Sequence, residues 1–253
     1  MSFYDLPKDK RTQLVEKIEQ EIQDDLENNT TPSLHKYFSD DDTYIRKSAY
    51  LAFGRIYFTN KNLQNKIVAT LQKEFLDQDE KVRQTVVNAF GEIGKKEADD
   101  VLQLYESAML DKNHSVRNAV IGSLKKMGEK NPKPVLTFSK KFIHHKNPEV
   151  RRIVAHGIEL RGRTHPEEVL PLLEEMQDEP NKRVRNIVVH VLGQISYKQG
   201  CLEKIIASLK KWKNKKIVDS ALAEILETHK SYEKFSDKTY KVAKEYIDRH
   251  MNP

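Results

Sequence analysis

Val82-Arg83, Val116-Arg117, Val150-Arg151 and Val184-Arg185 are one dipeptide read four times, each copy 34 residues after the last. Ile45-Arg46 precedes them by 37 residues and Val218-Asp219 follows by 34 with the arginine replaced. A fixed period of this size marks stacked units that bury their apolar faces against one another. Three residues after each Arg or Asp stand Ala49, Val86, Val120, Val154, Val188 and Leu222. Seven after stand Phe53, Phe90, Leu124, Ile158, Leu192 and Leu226, so each copy opens an amphipathic helix.

A polar turn comes before each pair: Asp40-Asp41-Asp42, Asp77-Gln78-Asp79-Glu80, Asp111-Lys112-Asn113, Lys146-Asn147-Pro148, Asp178-Glu179-Pro180 and Lys213-Asn214-Lys215. Asp and Asn suit N-caps and Pro suits a first helical turn. The pattern D-x-x-V-R followed by an apolar helix resembles the HEAT repeat. It implies an all-α, right-handed α-solenoid of about six helix pairs with capping helices, expected to span 1–253 as one domain.

Within that array, residues 1–30 form an N-terminal cap helix, with Leu14, Ile18, Ile22 and Leu26 on one face. Six repeats fill 33–228, and 232–253 forms a C-terminal cap whose apolar face is Val242, Tyr246 and Ile247. Gly94 and Gly128 are expected to end the second helices of repeats two and three.

The 253 residues carry 44 Lys/Arg against 38 Asp/Glu, unevenly placed. Residues 1–42 have a net charge of −6 and the remainder +12, so a basic body could face phosphate while the acidic end could not. One cysteine, Cys201, excludes an internal disulfide and a cysteine-based metal cluster. With no apolar run of membrane length and eight acids in residues 1–30, neither a spanning helix nor a signal peptide is expected. The expectation is a cytoplasmic monomer without a membrane partner, metal or cofactor.

The recurring arginines stand near the start of each second helix, where the acidic turn of a neighbouring repeat could accept their hydrogen bonds. A ladder of such contacts would hold the repeats in register, so Arg117→Ala is expected to destabilise the stack. The ligand-facing stripe then falls one and five residues after the arginine, on the expected concave face. It comprises Lys47, Gln84, Asn88, Asn118, Arg152, His156, Asn186 and His190. A polar, amide-rich stripe suits an extended macromolecular partner better than a small molecule, which prefers an apolar pocket. His156 and His190, one repeat apart, are expected about 10 Å from each other.

Two basic clusters offer a second class of ligand. Lys140, Lys141, Arg161 and Arg163 belong to the first; Lys210, Lys211, Lys213, Lys215 and Lys216, around Trp212, form the second. Phosphate binding draws on such clusters, although a charge run also serves as a solvated face. Trp212 is expected between helices rather than against a base.

Residues 148–228 are similar to the AlkC-type branch of the HEAT-like DNA alkylation repair family. The matching pieces are Glu149-Val150-Arg151-Arg152, Gly157, Val169-Leu170-Pro171-Leu172-Leu173-Glu174, Asp178, Pro180, Val184-Arg185 and Ile195-Ser196. The resemblance implies DNA gripped in a basic groove and a glycosylase carboxylate. At the signature's Ser-Glu-Gly this chain has Ala155-His156-Gly157, and Glu159-Leu160-Arg161-Gly162-Arg163 replaces the Arg-Pro-Arg-Leu-Pro-Trp run. Glu159 is the one nearby substitute for the missing acid. The leading expectation is therefore a non-catalytic scaffold binding a protein. The alternatives are a nucleic-acid-binding relative of the repair proteins and an active DNA glycosylase.

Overall fold

The computed structural model describes residues 2–251 and contains no strand among them. The helices are α1 (Lys8–Asn28), α2 (Pro32–Phe38), α3 (Thr43–Thr59), α4 (Gln64–Glu74), α5 (Glu80–Gly94), α6 (Asp99–Ala108), α7 (His114–Lys130) and α8 (Pro132–Phe142). They continue as α9 (Pro148–Gly157), α10 (Glu159–Gly162), α11 (Pro166–Glu175), α12 (Lys182–Gln194), α13 (Cys201–Leu209), α14 (Lys215–Ser231) and α15 (Tyr240–Met251). Alternation of first and second helices at the expected period makes the fold an α-solenoid.

Two compact units divide within α7, at Ser123/Leu124. In the first, α1 packs on α3 and α3 on α5. Ile18, Ile22 and Leu26 are fully buried there, so α1 stands where a preceding second helix would. In the second unit α9, α12 and α14 stack in turn, and α15 closes on α14.

Each turn is built by the same few bonds. The side chains of Asp42, Asp79, Asn113, Asn147 and Asn181 accept from the backbone N–H two residues on. Asn214 accepts from the N–H of Ile217. These groups satisfy donors that a helix start otherwise leaves open. Two residues earlier, Asp40, Asp77, Asp111, His145 and Glu179 each accept the N–H of the capping residue.

The arginine then closes the turn from the other side. Nη1 of Arg46, Arg83, Arg117, Arg151 and Arg185 donates to the carbonyls five and six residues earlier in its own repeat. At Arg83 and Arg151 a bond to the next turn is added. Arg83 binds Asp111 through Nε at 2.8 Å and Nη2 at 3.1 Å; Arg151 binds Glu179 at 2.7 and 2.6 Å. One repeat after Arg117 and Arg185 the equivalent positions are His145 and Lys213. The ladder expected from sequence thus includes closed turns throughout and, at Arg83 and Arg151, clamps onto the next turn.

The buried stripe is as expected in five repeats: Ala49, Val86, Val120, Val154 and Val188 are fully buried, as are Phe53, Phe90, Leu124 and Leu192. In the sixth, Leu222 and Leu226 are half-buried and Ala221 and Ile225 take the core. Packed on α12 and α15, α14 is turned by one position. α5 ends at Gly94, as expected, whereas Gly128 lies inside α7, which runs on to Lys130. The left-handed conformation among the described residues falls instead to Asn29 (φ 58°) and Gly200 (φ 70°). At the C-terminus Val242 is exposed and Ala243 replaces it against the core.

No helix among the described residues is long and apolar enough to cross a membrane.

Candidate functional site

Eight residues after the arginine, three of the second helices carry a glycine pressed against the next one. Gly54, Gly91 and Gly193 occupy that column, and a Cβ on Gly91 would stand 2.5 Å from Ser123 Oγ and 2.7 Å from its Cβ. Ser123 is buried, so neither atom can yield into solvent. In repeats three and four the same column carries Lys125 and Glu159. They meet: Lys125 Nζ lies 2.8 Å from Glu159 Oε2. Where Gly54, Gly91 and Gly193 give room to a side chain of the next second helix, these two form an ion pair.

Glu159 sits at the break between α9 and α10, where Ile158 leaves regular helical geometry (φ −87°, ψ −2°). Its side chain is 2% exposed. Lys125 Nζ also lies 2.8 Å from His156 Nε2, and His156 Nε2 lies 3.1 Å from Glu159 Oε2. Arg163 covers the other carboxylate oxygen at 2.6 Å and reaches Gln194 at 2.9 Å. His190 closes the group, 3.7 Å from Glu159 and 3.5 Å from Glu224. Burial pushes the Glu159 carboxyl up, but hydrogen bonds from His156 and Lys125 and the charges of Lys125 and Arg163 outweigh it. The group is held down to about 2.

That chemistry argues against a catalytic carboxylate. A general base needs a pKa near the working pH, and a general acid must keep its proton there. Glu159 is ionised, walled in, and has both oxygens engaged.

The sequence-predicted stripe divides into two kinds of residue. In the first unit Lys47 and Asn118 are exposed, Gln84 and Asn88 half-buried. A shallow groove of about 300 Å³ runs between Tyr44, Lys47, Tyr50, Gln84 and Asn88. In the second unit Asn186 is exposed and borders an open cleft of about 560 Å³ with Arg185, Val189, Lys216 and Ser220. Arg152 lies elsewhere: it is 7% exposed and forks onto Glu149, three residues earlier. His156 and His190 approach to 5.5 Å between ring centroids, closer than the helix spacing suggests, because both side chains lean toward Glu159.

The first basic cluster is largely spent internally. Arg161 forks onto Glu168 at 2.8 and 2.5 Å, and Arg163 holds Glu159. Lys140 and Lys141 stay at the surface of α8. In the second cluster Lys210, Lys211, Lys213, Lys215 and Lys216 are exposed, and Trp212 is buried at 1% with its indole N–H on Ser208. Sequence reasoning missed Lys125, Glu149 and Gln194. For Lys125 a signal existed, in its opposite charge to Glu159 one period on within a glycine column.

Comparison with known proteins yields a likeness of fold. A family model described as sister chromatid cohesion protein PDS5 matches residues 32–131. Among solved structures, AlkD2 from Streptococcus mutans superposes with a TM-score of 0.59, at 18% identity, over 78% of this chain and 97% of its own. The protein smu.31 from Streptococcus mutans UA159 gives 0.48 at 19% identity, over 83% and 96%. Pds5 in its complex with Scc1 gives 0.49 at 13%, over 97% of this chain and 38% of its own. No curated protein matches the sequence. The chain has a HEAT-like helical-repeat fold.

Proposed function

We propose that this protein is a non-catalytic helical-repeat scaffold, acting in the cytoplasm, whose second-helix faces bind an extended segment of a protein partner. The observation that carries this reading is the run of solvent-accessible polar side chains at repeat-equivalent positions: Lys47, Gln84 and Asn118 in one unit, Asn186 and Ser220 in the other. Side-chain amides pair with peptide N–H and C=O groups without a fixed charge requirement, which matches an extended chain. The region matched by the Pds5 family model includes Lys47, Gln84, Asn88 and Asn118.

A nucleic-acid reading is kept for the lysines around Trp212, which are exposed and clustered. Arg161 and Arg163, the side chains best shaped to fork onto phosphate, are bound to Glu168 and Glu159 instead. Fluorescence anisotropy with labelled duplex and branched DNA at low and near-physiological salt separates the readings. Weak binding confined to low salt is expected, since the five exposed lysines supply only a sequence-independent electrostatic gain that falls steeply with salt. Tight binding that survives near-physiological salt and falls on substituting Lys211 and Lys213 with Ala would replace the protein-partner reading.

A further inference from the structure

We propose a divalent transition-metal site of the zinc class in the first unit, formed by His35, Glu74 and Asp77. The three come from the end of α2, the end of α4 and the turn that follows. His35 Nδ1 lies 3.4 Å from Glu74 Oε2 and 3.6 Å from Asp77 Oδ2. All three donor atoms lie within 4.8 Å of one another. Tetrahedral zinc with bonds of about 2.0–2.1 Å sets neighbouring donors about 3.3–3.4 Å apart, so small rotations close the set.

Two independent features say that this carboxylate pair awaits a cation. Glu74 is buried, with a side chain 8% exposed, and its polar contact is the long one to His35. One, two and three periods on, the positions equivalent to Glu74 hold the buried apolar side chains of Ala108, Phe142 and Met176, and the fourth, Lys210, is exposed. An acid placed in an apolar column is costly unless something neutralises it.

Asp77 supplies the second feature. It belongs to the column of Asp111 and Glu179, which receive the forks of Arg83 and Arg151. Arg46, the repeat equivalent of Arg83 and Arg151, bonds the carbonyls of Asp40 and Asp41 through Nη1 as they do theirs, while Asp77 Oδ1 accepts the N–H of Asp79 and Oδ2 points toward His35. Arg83 touches Asp77 through its carbonyl and commits its remaining fork to Asp111. The half-exposed His35 forms the rim by which an ion enters, and water completes the coordination.

The other histidine–acid group, His156–Glu159–His190, has comparable spacing. There Lys125 Nζ stands 2.8 Å from two of the three donors and occupies the point a cation would take.

The test is calorimetric titration of the chelator-stripped full-length protein with zinc chloride, with the visible spectrum of added cobalt as a second readout. One equivalent of zinc and a tetrahedral cobalt spectrum are expected. His35→Ala and Glu74→Gln should each weaken zinc at least tenfold and abolish the spectrum, while His190→Ala leaves both intact. His35 is half-exposed, so its variant should keep the wild-type circular dichroism and report binding alone. No stoichiometric zinc, zinc binding unchanged in His35→Ala, or binding lost in His190→Ala would each overturn the site.

Discussion

Arg151→Ala should lower the folding stability by about 3–5 kcal/mol, and Arg185→Ala by about 1–2 kcal/mol, although the two arginines are repeat-equivalent. Both close their own turn through two carbonyl bonds. Arg151 alone also forks onto Glu179, with side chains 13% and 4% exposed. Hydrogen bonding to Glu179 raises Arg151 above its ordinary value. Burial pushes the Glu179 carboxyl up, but the bonds from Arg151 and the Asn181 N–H outweigh it and hold it below its ordinary value. Removing Arg151 strands a buried carboxylate, whereas removing Arg185 opens carbonyls that water can reach. Urea midpoints of the two variants measure the difference. Equal losses would mean that the turn closure carries the whole effect and the clamp none.

The second large effect concerns Glu159. Glu159→Gln removes the one carboxylate that Lys125 and Arg163 share, at a cost of about 2–4 kcal/mol. The range sits below that for a fully buried pair because Lys125 and Arg163 are 19% and 28% exposed and can turn to water. The pH dependence follows from the direction of the shift. The folded pKa of about 2 lies below the ordinary 4.5, so the stabilisation is fully present above about pH 4.5. It is lost as pH falls through the folded value, and it amounts to about 3 kcal/mol. Denaturation midpoints of wild type and Glu159→Gln should therefore converge as the solution is taken from neutral pH to about pH 2. A gap that persists at low pH, or none at neutrality, would show that the cluster does not stabilise the fold.

The fold was legible because every repeat must bury the same positions, and a period of 34 leaves the same residue types at each. The capping acids and amides were legible for the same reason. Arg152 was misplaced because position alone assigned it to the open face. Glu149, three residues before it on the same helix, offered a partner that draws it down. The two histidines were set too far apart because helix spacing describes backbones, and side chains leaning to a shared acid shorten it. His35, Glu74 and Asp77 carry no short-spacing motif, since three segments assemble them. Glu74 standing in an apolar column was the readable trace.

Recognition along the second-helix face is tested most directly by a photo-crosslinking side chain placed at Asn186 on α12, and in a second variant at the exposed Ala207 on first helix α13. After irradiation in native extract, Asn186 should yield adducts that protease removes and nuclease does not, and Ala207 should yield none. Adducts from Ala207 alone, or nuclease-sensitive adducts from Asn186, would contradict protein recognition on this face.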